Sequence, residues 1–371
     1  MIPVFDPLIG DDDLQAIVAA FKRGEISGSF GSAVPEFEQV FSAYCGVAHG
    51  VAVSSGTTAL QLAVAAAGIG PGDEVLVSAC TNIATALAVI HNGAVPVPVD
   101  SEGVTWNLDL DLVEGLITPR TRAIIPVHIY GHPVDMDRLG EIARRHNLLV
   151  IEDCAESHGA TVRGRMTGSF GAMGCFSFYA NKVVTTGEGG MVITNDAALA
   201  ERLRLLRNLA FTQPRFFHEV AGYNFRMTGM QAAMGATQTR KIEAVIEKKR
   251  RVAAIYNRLL AQLGAGWLQT PPELDWARNV YWMYAVVVRP DAPIKRDVLL
   301  KRLRDEGVDT RTFFCPMSQQ PCVTRVAGYR PVATPIADRL WTDGFYLPSS
   351  PSLTEQEIAS VCQAVARAGR A

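Results

Sequence analysis

Residues 174–194 read GCFSFYANKVVTTGEGGMVIT. Two apolar runs within it, 175–179 and 190–194, have the length and side-chain content of buried strands. Between them, 180–189 is rich in Thr and Gly, which suits a tight backbone turn. That turn carries one lysine, Lys182. A lysine offered between two core strands is badly placed for solvation. Burial favours its neutral amine, and a neutral amine is a nucleophile that can form a Schiff base. Taken alone, the segment also admits an ordinary loop lysine exposed at a strand end.

Working outward, strand and helix alternate. Apolar strands at 50–53, 74–78, 95–99, 123–127 and 148–151 are separated by helical patterns at 59–67, 83–92, 109–117 and 135–146. Continuous apolar strands alternating with helices predict an α/β fold whose mainly parallel sheet is covered on both faces. Two helices precede it, at 11–23 and 35–44, the second with an aromatic stripe of Phe37, Phe41 and Tyr44 turned to the core. Beyond Lys182 come a helix at 197–208, an irregular aromatic stretch at 211–224, and a long helical pattern. From Trp267 the texture becomes that of a smaller α+β unit: strands at 282–288 and 309–314, helices at 296–306 and 354–367. The expected organisation is a large domain over 1–240 and a small C-terminal α+β domain over 241–371, joined by a connecting helix at about 229–263.

The 371 residues are 48% hydrophobic and 19% charged, with a net charge of −2. Mixed charge with no basic face argues against nucleic acid or an anionic membrane as partner. No apolar run reaches transmembrane length, and the first residues lack the basic-then-apolar layout of a secretion signal. The seven cysteines are scattered with no C-x-x-C spacing, as expected of reduced core thiols in a cytoplasmic protein. His128 and His132 invite a metal reading. Without an accompanying thiolate or carboxylate pair, structural or substrate-side roles are expected, and no metal.

Three features fall at strand ends, where open α/β sheets bind ligands. Ser55-Gly56-Thr57-Thr58 opens a helix, and its free N–H groups, hydroxyls and helix dipole suit a phosphate, or simply a helix cap. Asp153, in IEDCAESHGA (151–160), is a carboxylate just past an apolar strand. It needs a cation or a capping role there. A protonated pyridine nitrogen would be such a cation. The third feature is Lys182. Phosphate cradle, strand-end aspartate and inter-strand lysine are together what a pyridoxal-phosphate enzyme requires.

With these residues in view the chain resembles the DegT/DnrJ/EryC1/StrS sugar aminotransferases, of the aspartate-aminotransferase fold (fold type I). The matching segments are SSGTTAL (54–60), GIGPGDE (68–74), ITPRTRAIIPVHIYGHPVDMD (117–137), IEDCAESHGA, 176–194 and GYNFRMT (222–228). The resemblance implies pyridoxal 5′-phosphate as cofactor, attached to Lys182, with Asp153 on the pyridine nitrogen. It implies that Ser55, Gly56, Thr57 and Ser177 hold the phosphate, with Glu156 beside the ring. Asn224 would reach the phosphate of the neighbouring subunit, making the working unit a homodimer with shared sites. The substrates implied are glutamate and a nucleotide-linked keto sugar. ESHGA, YGHPVDMD, TTGEGGM and GYNFRMT lean towards the branch that aminates C4 of GDP-4-keto-6-deoxymannose. Other acceptors of the same chemistry are an 8-keto octulosonate or a keto-cyclitol. A cofactor-binding regulatory protein without turnover is the reading from another class. The family's 3-dehydratases carry His at the lysine position, so Lys182 argues against that branch. Two positions depart from the pattern, Asn82 where many relatives have an aromatic and Cys315 where that branch carries His. Both are expected to face cofactor or substrate. Arg226, His158 and the aromatic loop 211–217 are further candidates for substrate contact.

Overall fold

The computed structural model describes residues 1–214 and 216–370. Arg215, inside the aromatic loop 211–217, and Ala371, at the end of the expected small domain, lie outside the described residues. Two helices, α1 (Asp11–Lys22) and α2 (Ala33–Tyr44), lead into an alternating run: β1 (His49–Val53), α3 (Gly56–Ala66), β2 (Glu74–Ser78), α4 (Ala84–His91), β3 (Val95–Val99), α5 (Leu110–Leu116), β4 (Thr121–Ile125), α6 (Met136–His146) and β5 (Leu149–Asp153). A short hairpin, β6 (Thr161–Val162) and β7 (Arg165–Met166), precedes β8 (Met173–Ser177), β9 (Gly190–Thr194) and α7 (Ala197–Arg207).

Seven of these strands form one sheet in the order β1-β9-β8-β5-β4-β2-β3. From β3 to β8 every neighbouring pair is parallel, and β9 alone runs against both β8 and β1. The reversal follows from the 178–189 connection, which has no helix to carry a parallel crossover. All residues of β2, β3, β8 and β9 are buried, which is why they read as unbroken apolar runs. β3 tolerates Pro96 and Pro98 because it is an edge strand, paired only with β2. Phe37 and Phe41 of α2 are fully buried, their rings 4.9 and 5.0 Å from Phe178. Tyr44, the third member of that stripe, instead sits at the rim and donates to Glu243.

The remaining elements are α8 (Gly229–Arg240), α9 (Ile242–Gln262), β10 (Leu268–Gln269), β11 (Ala277–Arg278), β12 (Tyr284–Val288), α10 (Arg296–Asp305), β13 (Arg311–Thr312), α11 (Pro321–Thr324), α12 (Pro335–Asp343), β14 (Gly344–Leu347) and α13 (Glu355–Arg370). The single helix expected over 229–263 is thus two helices. They meet at Lys241, whose backbone (φ −111°, ψ 9°) leaves the helical path. Its amine is held 2.8 Å from both Asp12 and Asp13 of α1. β10-β12-β14-β13 form an antiparallel sheet with its own core, including Tyr256, Leu299, Phe345 and Val361. Backbone pairing also joins the two units. β11 pairs with β6, and Ile2 bridges Val308. Among the described residues no helix is long and apolar enough to cross a membrane.

Candidate active site

The C-terminal ends of β5 and β8, the N-terminus of α3 and the segment before β12 surround a cavity of about 310 Å³, the size of a small-molecule site. Ser55, Gly56, Thr57, Asn82, Asp153, Glu156, Ser177 and Lys182 all line it. A larger groove of about 710 Å³ lies at the opposite strand ends, against α6, and contains none of these residues.

At the α3 end both readings of the Ser-Thr cluster hold. Ser55 is the N-cap, accepting from Thr58 N–H at 3.1 Å, while Thr58 Oγ1 accepts from Ser55 N–H at 3.0 Å. The N–H groups of Gly56 and Thr57, in the first turn, have no acceptor within the helix and line the cavity. Gly56 is required by packing: a Cβ there would lie 2.6 Å from Ser177 Cβ. Gly190 is equally confined, since its Cβ would meet Ser55 O at 2.2 Å. The start of α3 is therefore packed tightly against the end of β8 and the start of β9.

Asp153 is the last residue of β5 and is buried. Thr85 Oγ1 donates to its Oδ2 at 2.8 Å, and Ala155 N–H donates to Oδ1 at 3.1 Å. Burial pushes the Asp153 carboxyl above the usual carboxylate range, against the pull of these bonds and of Lys182. A cation placed beside this carboxylate would favour its charged form. Thr85 was not picked out from the sequence, where it is one polar residue in the apolar run ATALAVIH of α4.

Lys182 sits in the turn after β8, its backbone N–H on Tyr179 O at 2.9 Å. Burial lowers the basicity of its amine, and the nearby carboxylates of Glu156 and Asp153 oppose that shift. Glu156 is buried too, and its Oε2 accepts from Tyr130 N–H at 2.7 Å. Burial raises its carboxyl and Lys182 holds it back. Thus an amine biased towards neutrality faces two carboxyls biased in the same direction. Three further residues on the cavity wall, Trp282, Phe314 and Tyr346, come from the C-terminal part of the chain. None was singled out from the sequence, where each reads as strand or loop filler.

Other expected residues fall elsewhere. His158 does not face substrate. It is fully buried against Phe41, Phe176 and Phe178, and among the described residues neither ring nitrogen has a hydrogen-bond partner. Burial takes its imidazole down to about 3. It belongs to the aromatic layer beneath the sheet. Cys315 is half-buried but lies outside the cavity wall, which its neighbour Phe314 forms instead. Arg226 donates to Asn208 Oδ1 at 2.7 Å, away from the cavity of its own chain. Asn224 is exposed and does not line that cavity either. Asn82 lines it while capping α4, its Oδ1 accepting from Ala84 N–H.

Contrary to expectation, His128 does have a carboxylate and a thiol beside it. Its ligand atom and those of Glu152 and Cys154 lie within 4.8 Å of one another. All the nitrogen and oxygen atoms are already used. Glu152 accepts from the N–H groups of Gly168, Phe170 and Gly171, and meets His128 Nε2 at 3.2 Å. His128 Nδ1 accepts from Val134 N–H. The cluster is a strut that fixes the loop after β7. His132 likewise bonds to backbone, through Pro133 O and Leu274 N–H.

Comparison with known proteins agrees with this geometry. A model described as the DegT/DnrJ/EryC1/StrS aminotransferase family matches residues 7–366. The chain is 45% identical to GDP-perosamine synthase of Caulobacter vibrioides, over 91% of this chain and 90% of the relative. It is 40% identical to dTDP-3-amino-3,4,6-trideoxy-alpha-D-glucose transaminase of Streptomyces venezuelae, over 98% and 95%. Its structure superimposes on that of 3-amino-5-hydroxybenzoic acid synthase with a TM-score of 0.93 and 30% identity, over 100% of both chains.

Proposed function

The chain belongs to the DegT/DnrJ/EryC1/StrS aminotransferase family and is a pyridoxal-5′-phosphate-dependent transaminase of fold type I, and we propose that it moves an amino group from glutamate to C4 of GDP-4-keto-6-deoxymannose. The reading is carried by the likeness to the Caulobacter GDP-perosamine synthase across nine-tenths of both chains. It gains support from a cavity whose donor set fits the cofactor: a helix start with free N–H groups and hydroxyls, a buried carboxylate, and a lysine.

When bound, pyridoxal phosphate supplies an electron sink and an aldehyde that relays the amino group between donor and acceptor. The N–H groups of Gly56 and Thr57, with the hydroxyls of Ser55, Thr57 and Ser177, hold the phosphate. Asp153, whose anion Thr85 and Ala155 N–H favour, would pair with the pyridine nitrogen. Glu156 and Asn82, on the same cavity wall, would hold the ring. Lys182 anchors the aldehyde end. With the cofactor bound, the free Nζ of Lys182 would be the group placed to hold and move a proton at the substrate carbon. Trp282, Phe314 and Tyr346 exclude water from that end of the cavity. Asn224, exposed on its own protomer, serves the phosphate of a second copy, so the working unit is a homodimer.

A second acceptor has a specific observation behind it. The 40% identity to a dTDP-sugar transaminase, together with Asn82 on the cavity wall, favours the same transfer on a different nucleotide-linked keto sugar. The deciding experiment incubates the cofactor-loaded protein with glutamate and a panel of GDP-, dTDP- and UDP-linked keto sugars, following 2-oxoglutarate and amino-sugar mass. Turnover of GDP-4-keto-6-deoxymannose above the others is the expected result. Amine uptake from glutamate without turnover of that sugar would overturn the acceptor while keeping the transaminase. No amine uptake would return the chain to the regulatory reading.

A further inference from the structure

A charged lysine amine has three donors to satisfy. Among the described residues none of them meets a hydrogen-bond acceptor at Lys182. Its Nζ instead lies 3.8 Å from the centroid of the Trp282 ring. Trp282 is 3% exposed, so the amine, on the cavity wall, lies within cation–π range of a fixed, buried indole, the best of the aromatic faces. The same indole donates its Nε1–H to Asn181 O at 2.8 Å. One ring thus holds both the backbone just before Lys182 and the end of the lysine's side chain.

The indole is itself fixed. It stacks on Tyr130 with 10° between planes, and Tyr130 stacks on Phe314 at 7°. Tyr130 has φ +53°, an uncommon conformation for such a residue. In that conformation its N–H reaches Glu156. The three near-parallel rings alternate between the C-terminal unit (Trp282, Phe314) and the large sheet's loop (Tyr130). Lys182 rests at the end of this ladder.

We infer that Trp282 is a positioning residue for Lys182: its face seats the amine when the lysine is free of the cofactor, and its N–H fixes the turn that presents it. The inference rests on Lys182 being the cofactor-bearing lysine. The physical reason for an aromatic seat is that a lysine serving as a proton carrier must be held within reach without being tied. A carboxylate hydrogen bond would fix the amine in one direction, whereas a π face attracts the cation from any angle. The seat also favours the ammonium form, against burial. Other groups facing the amine set the background of its titration. Asp153 and Glu156 favour the charge, Glu188 lies farther along the cavity wall, and Tyr179 and Tyr346 are the phenols there. His158 lies behind as a neutral ring, and Lys249 shares a small cavity with Lys182 on the other side.

The test uses the full chain stripped of cofactor, so it does not depend on turnover. Lys182 is labelled with an amine reagent across pH, and the labelled peptide is quantified by mass, in wild type, Trp282→Phe and Trp282→Leu. Removing the π face lowers the apparent pKa of Lys182 by about one unit in the leucine variant. The phenylalanine variant, which keeps a face, stays within about half of that shift. Unchanged titration in a folded leucine variant overturns the inference. Should that variant not fold, the wild-type indole emission carries the same test. It follows the Lys182 titration in wild type and is flat at that step in Lys182→Met. An emission with no such step in wild type overturns it. A wrong transaminase reading would appear in the substrate panel and leave these titrations as they are.

Discussion

Thr85→Val removes one hydroxyl and almost no volume, from a site no ligand touches directly. Thr85 is completely buried, and its Oγ1 is 2.8 Å from Asp153 Oδ2 and 3.1 Å from Thr81 Oγ1. Thr81 can therefore donate to Thr85 while Thr85 donates to Asp153, a short relay ending on the carboxylate. A hydrogen bond to a charged acceptor is worth about 1.5–3 kcal/mol. No water can replace the lost donor in a sealed position. Asp153 must be anionic to pair with a pyridine nitrogen, and burial already pushes it towards the neutral form. The lost bond therefore falls mainly on the cofactor-bound state. At about 1.4 kcal/mol per tenfold, pyridoxal phosphate binds roughly 10- to 100-fold more weakly. Equilibrium titration of the cofactor-free protein, followed by absorbance, gives this Kd directly. Thr81→Val, one step farther back, has a smaller effect in the same direction. A Thr85→Val protein that folds normally and binds within twofold of wild type would refute the argument that this hydroxyl keeps Asp153 charged.

In Lys182→Ala, borohydride treatment of the cofactor-loaded protein leaves no mass increment on the peptide spanning residue 182, where wild type shows one. An increment elsewhere in the variant at the wild-type level would remove Lys182 from its role. Gly56→Ala drives a methyl to 2.6 Å from Ser177 Cβ. Overpacking of this kind costs about 1–3 kcal/mol, so urea unfolding shifts to lower concentration and phosphate-dependent cofactor binding falls, and an unchanged midpoint with unchanged binding contradicts the cradle. Lys249 is buried with one acceptor, Ser349 O at 2.8 Å, and burial takes its amine down to about 7, against an ordinary 10.5. Between those values the unfolded chain holds a proton that the folded chain does not. Stability therefore rises with pH across that window, by up to about 1.4 kcal/mol per unit. Below it, both states are charged and the full penalty of burying the ammonium remains. Lys249→Met flattens this rise and stabilises most at pH 7 and below; identical pH dependence in urea unfolding at pH 7 and 9 sinks the prediction.

The sheet was readable because its strands are covered on both faces and therefore consist of continuous apolar runs, as in EVLVS and GMVIT. The turn between β8 and β9 was readable from its Thr and Gly, and the structure adds that β9 runs back against β8. What misled was the region around Lys241. A helical pattern continues through it, and nothing local to residues 229–263 announces a break. The cause is remote: α8 is packed on α1 and α2 by small residues such as Gly235, whose Cβ would strike Phe37. Lys241 is drawn to the aspartates of α1. Periodicity reports which face of a helix is apolar, not where a distant carboxylate bends its path.

The same asymmetry governs the site. Ser55, Gly56, Thr57, Asp153, Ser177 and Lys182 stand at strand ends or helix starts, so local pattern and chemistry together point to them, and the structure gathers all six on one cavity. Trp282 offers no such sign. In RNVYWMYAVVV it reads as the first residue of a core strand, and its distance in sequence from Lys182 hides the contact. His158 shows the converse error: a histidine within a functional-looking motif, IEDCAESHGA, that packs among phenylalanines. The motif is dense because the residues at and just after the end of β5 serve two sides of the chain. Asp153 and Glu156 turn to the cavity, while Cys154 and His158 turn to the core. The residues that meet from the two halves of the molecule, Tyr130 with Trp282 and Phe314, have no local chemistry to mark them. What they share is a position where one unit closes over the other, and there an aromatic ring can both exclude water and hold a mobile cation without fixing its direction.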